Sequence, residues 1–159
     1  MKYRQLDQIT SIQPGKTLTA RRTLRADEEC LLDHFPRFPV MPGVMMLEAL
    51  HQAAIWLVRS GDNFQTPLVL LREVRGVKFG DFLAPGETLD ITAEAIKTEG
   101  SLTTIKATAK KGDKVTVTAR LIVEKCDSGD PDRIGTNDEV RRLTEEQFEE
   151  LFGDVLQST

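Results

Sequence analysis

Apolar and polar residues alternate through much of the second half of the chain. Leu89, Ile91, Ala93 and Ala95 alternate with Thr88, Asp90, Thr92 and Glu94, the period of a strand with one buried face. Thr103, Ile105, Ala107 and Ala109 repeat the pattern, and Val115, Val117, Ala119, Leu121 and Val123 repeat it again. Glu99-Gly100 and Gly112-Asp113 separate these runs. Glycine there supplies the positive φ of a tight hairpin, so the spacing predicts a three-stranded antiparallel meander. Leu68 to Phe79 reads as another strand, closed by the Ala84-Pro85-Gly86 turn. Tyr3 to Ile12 and Lys16 to Leu24 read as a first hairpin around Pro14-Gly15.

One segment breaks the alternation. Val44, Met45, Met46, Leu47, Ala49, Leu50, Ala53, Ala54, Ile55, Trp56, Leu57 and Val58 predict a helix apolar almost all round, which must be covered on every side. One long central helix and about six largely antiparallel strands point to an α+β fold in which a curved sheet wraps the helix. A membrane span fits poorly, although Glu48 is the only charged residue from Phe38 to Val58. Pro39 and Pro42 break the stretch, and the part from Val44 to Arg59 rises only about 24 Å, short of a hydrocarbon layer of roughly 30 Å.

After Lys125 the character changes. Cys126 to Asp138 has the Asp- and Gly-rich composition of a linker, and Thr144-Glu145-Glu146-Gln147 has the pattern of a capping box opening a short helix through Phe152, with Gly153 as its stop. The division expected is a body at residues 1–126 and an acidic linker plus short helix at 127–159. Phe148, Leu151 and Leu156 give that tail apolar surface to dock, so it is either packing or regulation of a partner.

Charge sharpens this division. The 159 residues carry a net charge of -4, which gives no reason to expect a nucleic-acid partner. The last 33 residues hold ten acids and three bases, leaving the first 126 with 18 bases and 15 acids. Cys30 and Cys126 lie far apart, and the opening Met-Lys-Tyr-Arg-Gln has no apolar signal core. A reduced, cytoplasmic protein is expected.

Before Arg59, the polar side chains of the helix are Glu48, His51 and Gln52, at i, i+3 and i+4 on one face. A carboxyl enclosed by apolar residues tends to hold its proton, as a general acid requires; the competing reading is a polar stripe that meets water or a strand backbone. Ahead of the helix, prolines stiffen Asp33-His34-Phe35-Pro36-Arg37-Phe38-Pro39-Val40-Met41-Pro42-Gly43. His34 suits a general base or is an ordinary surface histidine. Gly43 stands at the helix start, where free N–H groups and the positive end of the dipole favour an oxyanion, or simply ends a turn.

The run from His34 through Pro39-Val40-Met41-Pro42-Gly43-Val44, followed by Leu47-Glu48-Ala49-Leu50 and Gln52-Ala53, resembles the active-site signature of the hot-dog-fold 3-hydroxyacyl-acyl-carrier-protein dehydratases, FabZ and FabA. Fourteen residues separate His34 and Glu48, the separation of the family's catalytic pair. The likeness extends from about Tyr3 to Val123, with Val77-Lys78-Phe79 and Pro85-Gly86-Glu87 included. The resemblance implies that His34 removes the α-proton of a 3-hydroxyacyl thioester and Glu48 protonates the departing 3-hydroxyl. It further implies that the Gly43 N–H holds the thioester oxygen, that the Val40 carbonyl orients His34, and that the product is a trans-2-enoyl thioester. Acyl carrier protein would bring the chain, and the enzyme would be a homodimer or a trimer of such dimers. No metal or redox cofactor is implied, and His34 and His51 show no zinc spacing.

Phe35, Phe38, Met41, Met45, Gln52 and Phe82 are the candidates for the acyl tunnel. Arg37, Arg72, Arg75 and Lys78 are those for carrier docking, or else a solvated surface. Three places in the chain depart from the family pattern. Arg37 stands where glycine is usual, Gly80-Asp81 where basic residues are common, and His51 where a small residue is usual. Because hot-dog proteins include thioesterases, hydrolysis by a Glu48-activated water is the alternative activity, and a non-catalytic acyl-binding subunit is the third reading.

Overall fold

A computed structural model describes residues 4–28, 31, 39–62, 68–126 and 142–151. Its strands are β1 (Gln8–Gln13), β2 (Thr17–Thr23), β3 (Leu68–Phe79), β4 (Thr88–Glu99), β5 (Leu102–Lys111) and β6 (Lys114–Cys126), with helix α1 (Gly43–Gly61) between β2 and β3. A second helix, α2, covers residues 142–151. The strands form one antiparallel sheet in the order β1-β2-β4-β5-β6-β3. The meander expected from the alternation is β4-β5-β6, with Gly100 and Gly112 at φ of 59° and 61° in its two turns.

The sheet wraps α1, which packs on β2, β3, β4, β5 and β6. Buried side chains on one face of the sheet alternate with Thr, Lys and Glu on the other. Ala93, Ala107 and Ala119 pair in register across β4, β5 and β6 and are all buried. Larger residues flank this row, among them Ile91, Ile105 and Leu121, so a strip of small side chains crosses the middle of the sheet between larger ones. Close-packed interiors favour such interdigitation of small and large residues.

Helix α1 has nineteen residues, a helix of moderate rather than great length. Met46, Ala49, Leu50, Ala53, Ala54 and Leu57 are buried, but Val44 is 67% exposed. The expectation that every side would be covered therefore fails at the first turn, because the sheet reaches only part of the helix surface.

Two local readings need correction. Val115 does not join the core face: a register shift between Ala109 and Lys110 pairs Lys110 with Val115 and Ala109 with Val117. Val115 is 38% exposed and Thr116 is buried, its hydroxyl donating to the Ala109 carbonyl. A bulge sets two residues against one and so shifts the alternation by one place. Thr144 does not cap α2, since residues 142 and 143 are already helical and Thr144 is buried inside the element.

Helix α2 lies against α1. Leu151 is buried, the Phe148 ring is 5.9 Å from that of Trp56, and Glu150 meets Arg4 at 2.6 Å. Among the described residues no helix is long and apolar enough to cross a membrane.

Candidate active site

The polar face of α1 forms as its spacing requires. Gln52 Nε2 donates to Glu48 Oε1 at 3.2 Å, and His51 Nδ1 lies 3.3 Å from Glu48 Oε2. The Glu48 side chain is 42% exposed and that of His51 20%. Enclosure of Glu48 by apolar residues of its own chain is thus not found: the face of α1 that carries it turns away from the sheet.

Gln52 also accepts the Gln5 backbone N–H at 2.7 Å. Gln5 in turn accepts through its side-chain oxygen from buried Arg22, whose guanidinium pairs with Glu28 and donates to the Thr23 carbonyl at 2.6 Å. A polar chain therefore runs from Glu28 through Arg22, Gln5 and Gln52 to Glu48. Burial pushes the Glu28 carboxyl up, but bonds from Arg22 and the Arg25 backbone, with the charges of both arginines, hold it below the usual range. The amphipathic pattern gave no sign of this chain; the one available signal was an arginine, Arg22, at an inward position of a strand.

At the start of α1, Pro42 precedes Gly43 and no side chain caps the helix, nor does any acid stand in its first turn. The first N–H groups of a helix have no partner within it and form a place for developing negative charge. A Cβ built on Gly43 would come 2.9 Å from the Phe79 ring, so glycine permits the end of β3 to close on the helix start. Val40 and Met41 are buried, and the Met41 N–H bonds the Leu83 carbonyl at 2.8 Å, tying the approach to α1 to the loop after β3.

Of the tunnel candidates, Met41 belongs to the core, Met45 and Gln52 are half-buried, and Phe82 is 55% exposed. Among the docking candidates, Arg72 bonds Glu124 and Arg75 grips Glu73 through two nitrogens at 2.7 and 2.9 Å, while Lys78 is exposed. All three lie on β3, which has two register shifts against β6. His34, Phe35, Arg37 and Phe38 lie outside the described residues. A cavity of about 230 Å³ lies at the seam of α1 and α2, where Gln52, Trp56, Arg59 and Gln147 meet; sequence reading did not foresee it.

An antiparallel sheet curved around one central helix, with a carboxyl and an uncapped glycine in the first two turns of that helix, defines an α+β protein of the hot-dog fold. The family model for a FabA-like domain matches residues 1–120. A 3-hydroxyacyl-acyl-carrier-protein dehydratase FabZ of Levilactobacillus brevis is 34% identical over 116 residues, 73% of this chain and 78% of the relative. A second FabZ, of Clostridium tetani, is 35% identical over 117 residues, 74% and 82% of the two chains. The dehydratase heterocomplex ApeI:P from Xenorhabdus doucetiae shares the fold at 17% identity, with a TM-score of 0.67 over 82% of this chain and 88% of that one. The chain belongs to the FabA-like family.

Proposed function

We propose that the protein dehydrates 3-hydroxyacyl thioesters on acyl carrier protein to trans-2-enoyl thioesters, in fatty acid biosynthesis. The observation that carries this reading is the position of Glu48 on α1, one turn inside the uncapped Gly43 end, in a chain whose FabZ relatives are dehydratases by name. His34 takes the α-proton, and the thioester oxygen gains negative charge against the Gly43 N–H, with the Val40 carbonyl orienting the His34 ring. Glu48 then gives its proton to the 3-hydroxyl, the C–O bond breaks, and water leaves.

The same reading makes the enzyme a homodimer. Exposed Val44, Phe79 and Phe82, with the edge strand β3, give an apolar surface and unpaired backbone beside Glu48. A second copy there would cover the half-exposed carboxyl and enclose a tunnel lined by Phe35, Phe38, Met41, Met45 and Gln52. Arg37, Arg72, Arg75 and Lys78 would face the acidic carrier. The body is residues 1–126 and the acidic addition 127–159, and the location is cytoplasmic.

The test is turnover of 3-hydroxyacyl-acyl-carrier-protein across chain lengths, with saturated acyl thioester as the control for hydrolysis. Glu48→Gln and His34→Ala should each lose about 10²–10⁴-fold in kcat with the fold retained by circular dichroism. Near-normal turnover in either variant, or release of thiol from the saturated thioester in place of dehydration, would overturn the reading.

A further inference from the structure

The hydrogen bonds at Glu48 can be assigned atom by atom from one fixed donor. A backbone N–H only donates, so Gln52 Oε1 is the acceptor of the Gln5 N–H, 2.7 Å away. That fixes the amide at its other end: Nε2 is a donor, and it lies 3.2 Å from Glu48 Oε1. Oε1 is therefore an acceptor whether or not the carboxyl is protonated, and a proton carried by Glu48 belongs on Oε2. Oε2 is the atom 3.3 Å from His51 Nδ1. The other ring nitrogen, Nε2, is buried and has no hydrogen-bond partner. Among the described residues, the polar contacts of the imidazole thus reduce to Glu48.

We propose that His51 is a positioning residue for the acid step, its Nδ1 holding Oε2 of Glu48 and keeping that oxygen in one defined place between turnovers. The inference rests on the acid role given to Glu48 above. With Gln52 on Oε1 and His51 on Oε2, both carboxyl oxygens are held from the same helix face. When the 3-hydroxyl of the substrate arrives, the Oε2–H bond breaks, its proton completes the departing water, and the carboxylate left behind takes its next proton from solvent. His51 gives up no proton in this cycle. Its contribution is to prevent a half-exposed carboxyl from spreading over several rotamers, a pre-organisation that acts on kcat rather than on binding.

Two measurements test it. The ¹⁵N imidazole shift of His51 Nδ1 should move on Glu48→Gln and that of Nε2 much less; an Nδ1 shift that does not respond overturns the proposal. In turnover, His51→Ala should lower kcat roughly tenfold, a small part of what a general acid supplies, with KM nearly unchanged. His51→Asn, whose side-chain amide can take the place of Nδ1 toward Oε2, should recover most of the loss. If Glu48→Gln is inactive while His51→Ala turns over at the normal rate, the His51 proposal fails and the dehydratase reading stands. If Glu48→Gln remains active, the dehydratase reading itself fails.

Discussion

Arg22 has 4% of its side chain exposed and is anchored by Glu28, Gln5 and the Thr23 carbonyl. Removing one partner of a buried pair leaves the other charge without compensation, so Arg22→Met should cost about 3–5 kcal/mol, read as a lower midpoint in urea. The sign of the accompanying pH effect follows from Glu28, whose carboxyl is held below its ordinary value of 4.5. Its contribution is complete above that value and is lost as pH falls through the lower, folded one. Acid should therefore weaken the native protein below about pH 4.5, and more steeply than it weakens Arg22→Met; equal slopes in urea melts would count against the pairing. At this scale sequence reading found the Glu48, His51 and Gln52 face, because helical spacing is local. It did not find the chain from Glu28 to Glu48, whose contacts cross 17 and 47 residues of sequence and arise only when β2 and α1 meet the segment before β1.

Among the elements, α2 offers a direct optical test. Trp56 is the only tryptophan of the chain, is 7% exposed, and has the Phe148 ring 5.9 Å away with its plane tilted by 47°, and the Arg59 guanidinium 5.4 Å from its ring centroid. Phe148→Ala should shift Trp56 emission to longer wavelength and lower stability by about 1–3 kcal/mol, the ring contact plus part of the buried area. Unchanged emission would mean that α2 does not rest on α1 in solution. The strands were legible because a half-buried strand writes its face into every second residue, and β3 runs over the span expected for it. The pattern misled at Val115, where a bulge moves the face by one residue, and at Thr144, where a capping motif sits inside a helix whose earlier turn has weak signals. Docking of α2 was legible as apolar surface at Phe148 and Leu151; its target, Trp56, was not.

At the scale of the whole molecule, the first turn of α1 stands partly uncovered. Val44, Phe79 and Phe82 are each more than half exposed, a concentration of apolar surface next to an edge strand that a lone chain rarely leaves open. Phe79→Asp should convert the proposed dimer to a monomer in sedimentation while leaving the far-ultraviolet spectrum intact, and should remove activity together with association, since the same surface borders Gly43. A dimer that survives the change would place the contact elsewhere. Sequence reading expected apolar residues around Glu48; a sequence records that a helix is apolar without recording which molecule supplies its cover. The sheet itself sets where that helix rests. With only methyl groups at Ala93, Ala107 and Ala119, its centre is a shallow trough whose useful property is vacancy. Added bulk at Ala93, Ala107 or Ala119 would push into the core that α1 shares with the sheet, so side chains remote in sequence help keep in place the helix that carries Glu48 and Gly43.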